Sequence, residues 1–329
     1  MKLCLIGDRG HVSYVFQSLA EVPEVRIAGV SMGCQDSPSG LLAHCAEAGF
    51  RPPVFDDWRE MLDKVQPALV CVCGPFESHA EMCAECLRRG IHVFCEKPVA
   101  IDLESFAELE RVYREERANG ARFVSMVGMR YEPAFYTAYG MVQDGTIGRI
   151  KLMDARKSYR FGGSRPDYYR SRSTYGGTIP WVGSHAMDWV LHFTGQGVER
   201  FNAYQTRADN FGYGDLEVAA VCQIVTTGGV LASVTMDFLR PAKAPTHGDD
   251  RLRLVGTAGV LEIREEVIHL IDGDGERTIV PPAPPRRLFS DFALELLGGR
   301  PALVTDRDTL ELTRLCLLVQ QAADQAYST

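Results

Sequence analysis

The turn Gly7-Asp8-Arg9-Gly10-His11 follows the apolar run Lys2–Ile6 and opens a helical pattern. Backbone N–H groups at such a strand-to-helix turn, with glycine allowing close approach, suit the pyrophosphate of a dinucleotide. Gly7 stands at the first glycine of the G-x-G-x-x-G pattern; Arg9 and Val12 stand at the second and third, and Gly10 is displaced by one. An acid for the ribose hydroxyls is missing directly after the second apolar run, at Val30-Ser31-Met32-Gly33, and Asp36 comes late. No Arg or Lys lies between 27 and 50 to meet a 2′-phosphate, so the expectation leans slightly to NAD over NADP. Lys97 closes another apolar run, His92–Cys95, where open α/β sheets bind ligands. Strand alternation, continued one residue further, points Glu96 away from Lys97. His185 and Asp188 are three apart in a helical pattern and share one face. Cys83-x-x-Cys86, with Cys71 and Cys73 upstream, has a zinc-like spacing. It falls inside a helical stretch, however, so packed thiols and no metal are expected. In Asp272-Gly273-Asp274-Gly275-Glu276, Arg277 replaces the glycine of a calcium loop, and a hairpin turn is expected.

Strands and helices alternate through the first 120 residues. Strand-like runs at Lys2–Ile6, Val25–Val30, Val54–Phe55, Ala68–Cys73, His92–Cys95 and Arg122–Val127 enclose helical patterns at His11–Glu21, Gly40–Ala48, Trp58–Val65, Glu77–Arg89 and Leu103–Ala118. That alternation indicates βαβ units, and continuous apolar strands mean a parallel sheet covered on both faces. The expected fold class is α/β, with a Rossmann-type doubly wound domain over residues 1–121. From 122 to 329 the pattern becomes α+β with a large, mostly antiparallel sheet. Helices are expected at Pro133–Gln143, around His185–Thr194, at Leu288–Leu297 and at Asp308–Ala326. Strands are expected at Arg149–Tyr159, Arg200–Thr206, Leu216–Thr226, Val230–Phe238, Arg251–Val255 and Val260–Ile263. A polar, aromatic loop over Phe161–Gly177 is placed to roof a pocket.

With 329 residues the chain fits two domains. Its 43 Asp and Glu outnumber 35 Lys and Arg, giving a net charge of −8, which argues against coating phosphates of nucleic acid or a membrane surface. Only six of the cations are Lys against 29 Arg, which singles out each Lys. Ten Cys without an export-type leader or a membrane-length apolar run point to reduced thiols in the cytoplasm.

The run from Leu69 through Gly74-Pro75 to His79, followed by Cys95-Glu96-Lys97-Pro98, resembles the Gfo/Idh/MocA oxidoreductase family. The likeness continues in Gly128-Met129-Arg130-Tyr131-Glu132-Pro133, in Asp144–Gly148, in Gly176-Gly177 to Asp188 and in Gly256–Gly259. It covers nearly the whole chain, and Glu-Lys-Pro at a strand end is its most specific part. The resemblance implies NAD or NADP held by Gly7, Asp8, Arg9, Gly10, His11, Val12, Ser31, Cys73, Gly74, Pro75, His79, Glu96 and Lys97. It implies Lys97 and His185 as catalytic residues, with Lys97, Arg130, Tyr169, Trp181 and His185 at the substrate. Pro98 would fix the turn after Lys97, through a cis bond if the geometry requires one.

Many relatives carry Asp four residues before the histidine, where this chain has Trp181. An indole offers a flat apolar wall and one N–H donor, but no carboxylate. The resemblance therefore implies hydride transfer between NAD(P) and a secondary alcohol or ketone of a sugar, cyclitol or related molecule. The alternatives are a non-catalytic NAD(P)-binding regulator and a redox-neutral, NAD-retaining glycosidase. A homodimer or homotetramer is expected. Val218, Ala220, Cys222 and Ile224 share one strand face, while Glu217, Ala219, Val221 and Gln223 form a second, partly apolar face suited to an interface.

Overall fold

Five short apolar strands pair in parallel in the computed structural model, which describes residues 1–162 and 165–327. They are β1 (Lys2–Ile6), β2 (Arg26–Ser31), β3 (Leu69–Val72), β4 (His92–Cys95) and β5 (Phe123–Ser125), in the order β2-β1-β3-β4-β5. Every residue of β3 and β5 is buried, so both faces are covered, as continuous apolar runs require. Between the strands run α1 (Ser13–Ser18), α2 (Ser39–Glu47), α3 (Trp58–Val65), α4 (His79–Arg88) and α5 (Leu103–Glu116). Asp57 and Asp102 start α3 and α5 by accepting the N–H groups of Arg59 and Ser105. Val54–Phe55 makes only a single bridge, Val54 to Val30, rather than a strand.

This unit comprises Met1–Val127 together with Arg286–Thr313, which lie far along the chain. Two contacts explain why the later segment belongs here. Phe289 and Phe292 of α9 (Leu288–Leu296) pack on Phe94 at ring distances of 5.3 and 6.0 Å. At the start of α10 (Asp306–Tyr327), Asp306 and Thr309 accept the N–H groups of Phe123 and Ser125, each at 2.9 Å. The outer strand β5 thereby gains partners that a sheet edge otherwise lacks.

The second unit takes Gly128–Pro285 and the chain from Arg314 on. It contains α6 (Pro133–Gln143), β6 (Ile150–Arg160), the short α7 (Arg172–Tyr175) and α8 (Ser184–Thr194). Seven further strands follow: β7 (Val198–Thr206), β8 (Ala219–Thr226), β9 (Leu231–Arg240), β10 (Gly248–Gly256), β11 (Val260–Arg264), β12 (Val267–Asp272) and β13 (Gly275–Ile279). Their order is β13-β12-β11-β10-β6-β9-β8-β7, with β6 and β9 parallel and every other pair antiparallel. The turn at Asp272–Gly275 closes the β12–β13 hairpin, as expected.

One sheet face is buried, through Met153, Ala155, Val234, Met236, Cys222 and Ile224, with α8 on β6 and β9 and α6 on β11 and β12. The opposite face carries Leu152, Tyr204, Leu231 and Ile271, all exposed, with Val221 and Val225 half-buried. Glu217 departs from its expected place on that open face. It precedes β8 and is fully buried, paired with Arg172 at 2.9 Å and accepting from the Thr178 N–H at 3.1 Å. Among the described residues no helix is long and apolar enough to cross a membrane.

Candidate active site

In the first unit the sheet order reverses direction between β1 and β3, and the loops leaving those strands meet there. Gly7, at φ +77°, lies against the next loop so closely that a Cβ would fall 2.2 Å from Cys73 O and 2.6 Å from Gly74 Cα. Only glycine permits that backbone approach. The Gly7 N–H donates to Ser31 O at 2.8 Å, and the Arg9 N–H donates to Cys73 O at 2.9 Å. Cys73 is fully buried, its thiol pushed well up by burial, and it meets the glycine turn through its backbone carbonyl.

Gly10 has a different reason to be glycine. Its φ is +71°, and a Cβ would lie 2.6 to 2.8 Å from the Glu96 side chain. Glu96 is completely buried beneath the turn. Its carboxylate sits 2.9 and 3.1 Å from His11 Nδ1, accepts the His11 N–H at 3.3 Å, and lies 3.7 Å from Lys97 Nζ. The expectation that Glu96 points away from Lys97 is therefore incorrect. β4 ends at Cys95, so strand alternation no longer governs the next residue. Burial alone would raise the Glu96 carboxyl; His11 and Lys97 outweigh it and hold it below the usual carboxylate range. Lys97 is 4% exposed, and the Lys97–Pro98 bond is cis.

His79 is also fully buried. Its ring nitrogens lie 2.8 Å from Pro98 O and 3.0 Å from Gly74 O, so it fastens the loop after β3 to the loop carrying Lys97. Burial holds this imidazole below its usual range, against the pull of the two carbonyls and Glu96. Arg9 reaches the loop beyond β2, 3.0 Å from Asp36. A cation thus does stand beside that loop, supplied from outside the 27–50 stretch. Burial, and then Asp36, push the nearby Asp8 carboxyl up.

These features fit a dinucleotide: a glycine turn at the switch point, Val12 buried at the helix start, and the Arg9–Asp36 pair beside the turn. The N–H groups of Gly7, Arg9 and His11 are engaged internally, unlike the phosphate-facing N–H groups expected of this turn.

In the second unit His185 opens α8 and is 2% exposed. A π-helical turn, Ile179–Gly183, leads into it and carries Trp181. Tyr169 meets the Trp181 ring edge-on at 5.6 Å, and the Arg165 guanidinium lies 4.8 Å from the Tyr169 ring. Part of the expected roofing loop, Gly163 and Ser164, lies outside the described residues. Arg130 is buried and places its guanidinium on Asp188, with Nε 2.9 Å from Oδ2. Its fork anchors α8 one turn beyond His185.

Lys157, another of the six lysines, is not singled out by any motif. It is buried on the inner face of β6, 2.5 Å from Asp250 and 5.8 Å from the Trp189 ring. Burial works against its charge, but Tyr159 and Asp250 hold it above the usual lysine range. The scarcity of lysine, with inward parity after Met153 and Ala155, is the sequence signal for it.

The family description "Oxidoreductase family, NAD-binding Rossmann fold" matches residues 17–127, and "GFO/IDH/MocA C-terminal domain" matches residues 135–262. A solved structure from Thermotoga maritima superposes with a TM-score of 0.94 at 38% identity, covering 99% of this chain and 98% of that one. The myo-inositol 2-dehydrogenase of Thermotoga maritima is 25% identical over 230 residues, 68% of this chain and 65% of the relative. An aldose-aldose oxidoreductase from Caulobacter crescentus shares the fold, with a TM-score of 0.83 at 19% identity over 99% and 98% of the chains. Matches to the first curated relatives span about two thirds of their length. The chain belongs to the Gfo/Idh/MocA family and is an oxidoreductase with a nicotinamide cofactor.

Proposed function

We propose that the protein is a dehydrogenase that interconverts a secondary alcohol and a ketone on a sugar, cyclitol or related polyol. The first unit serves the cofactor and the second the substrate and self-association. Family membership and the inositol dehydrogenase relative support the substrate class. The observation that carries the reading is Lys97, buried at the carboxyl end of β4 beside the glycine turn. The nicotinamide, when bound, accepts or returns hydride at C4. Gly7 to Val12, Ser31, the Cys73-Gly74-Pro75 backbone and His79 shape its place. Lys97 polarises the substrate oxygen, and His185 takes up or returns the hydroxyl proton, a task suited to imidazole. Trp181 and Tyr169 supply an aromatic wall, and Arg130 supports it through Asp188.

The preference for NAD over NADP is slight. Asp36 favours ribose hydroxyls and repels a 2′-phosphate, while Arg9, held by Asp36, attracts one. The half-exposed apolar face of the eight-stranded sheet supports a homodimer or homotetramer. Trp181 in place of the usual carboxylate favours a second reading, a cofactor-binding regulator without turnover.

Incubation with NAD or NADP and a panel of sugars, cyclitols and sugar acids, followed by NADH or NADPH absorbance, separates the two. Reduction with at least one polyol supports the dehydrogenase. Dinucleotide binding with no reduction and no product across the panel contradicts it. Product formation without net reduction would mark redox-neutral chemistry.

A further inference from the structure

Glu96 is a buried carboxylate shared by two elements. From the β1–α1 turn come the His11 N–H and ring; from its own segment comes the Lys97 ammonium, 3.7 Å away. Near it lie the His79 imidazole of α4 and the thiols of Cys73 and Cys95, with Arg9 acting on His79. A carboxylate at zero exposure persists as an anion only with cationic or N–H partners. The relation is mutual. Lys97, itself 4% exposed, keeps its proton more firmly beside an anion than beside a neutral group. Gly10 is part of the same device, because any Cβ there would displace the carboxyl group.

We infer that Glu96 is a positioning residue that holds Lys97 as a permanent ammonium and ties it to the glycine turn through His11. Lys97 then donates a hydrogen bond and positive charge to the substrate oxygen but does not act as the base. Proton transfer is left to His185. The inference deepens the reading of Lys97 given above and rests on it for its catalytic meaning.

The test is a pH titration of the full-length protein carrying ε-13C-lysine. With only six lysines, Lys97 is assigned by the resonance lost in Lys97→Arg. In wild type, the Lys97 midpoint is expected to stay well above neutrality, because the Glu96 carboxylate offsets the burial that alone would lower it. In Glu96→Gln it should fall by about 1 to 3 pH units, the usual effect of an opposite charge at this range. Glu96→Asp, which keeps the charge, should restore most of the difference. A wild-type midpoint near neutrality overturns the inference, and this measurement stands even if Glu96→Gln fails to fold. Equal midpoints in wild type and a folded Glu96→Gln overturn it as well. Turnover of Lys97→Ala separates the two readings. Retained turnover removes Lys97 from catalysis whatever the titration shows. Lost turnover with an unshifted midpoint defeats only the role of Glu96.

Discussion

At φ +71°, with Glu96 Cδ 2.6 Å from the place of a Cβ, position 10 accepts glycine and little else. Gly10→Ala adds a left-handed penalty of about 1 to 2 kcal/mol and forces the carboxyl group aside. Urea unfolding should show at least that loss, and calorimetry should show weaker dinucleotide binding; unchanged stability would contradict this account of the turn. Glu96 also makes stability depend on acid. Its folded pKa is depressed, so its contribution is complete above the ordinary carboxylate value of ~4.3. It is lost as pH falls through the lower folded value. Wild type should therefore lose stability below about pH 4 more steeply than Glu96→Gln, as measured by denaturation midpoints against pH. Lys97→Ala and His185→Ala should each lower turnover at least ~10²-fold with cofactor affinity nearly intact. A group titrating near ~6.5 in the pH profile should vanish in His185→Ala, and its persistence would make His185 structural. Gly7 is legible from residue type and spacing, and Lys97 and His185 stand out through the family resemblance. The inward turn of Glu96 is not, because it depends on where β4 stops. Nor is the Arg130–Asp188 fork, which joins residues 58 apart.

Among the elements, α8 shows how much is readable. Its helical period is plain, and the structure starts it at Ser184, one residue from the expected start. The π turn before it is not visible in the pattern, since a single wider turn leaves the apolar spacing almost unchanged. Trp189 anchors this helix, fully buried and stacked on Phe135 at 4.5 Å. Trp189→Ala should cost about 3 to 5 kcal/mol, read as a lowered urea midpoint. A loss below about 1 kcal/mol would show that the helix is held elsewhere. The alternating strands are equally legible: Ala220, Cys222 and Ile224 are buried, while Ala219, Val221 and Val225 are half-exposed. The return of residues 286–313 to the first unit is hidden from a linear reading. It rests on long-range contacts, Phe94 with Phe289 and the Phe123 N–H with Asp306.

For the molecule as a whole, the open sheet face with Leu152, Tyr204, Leu231 and Ile271 supports self-association. Light scattering at micromolar concentration should give a dimer or tetramer mass, and a monomer mass would remove that proposal. The two-part organisation and the fold class follow from the change of periodicity near residue 122, whereas the substrate does not follow from fold. The glycine turn and the loop after β3 are proposed to hold a nicotinamide dinucleotide. Calorimetric titration of the full-length protein with NAD(H) and NADP(H) tests this proposal most directly. Saturable binding of at least one of them is expected, with Kd well below about 1 mM and weakened in Gly10→Ala. No binding of either dinucleotide at millimolar concentration would contradict it.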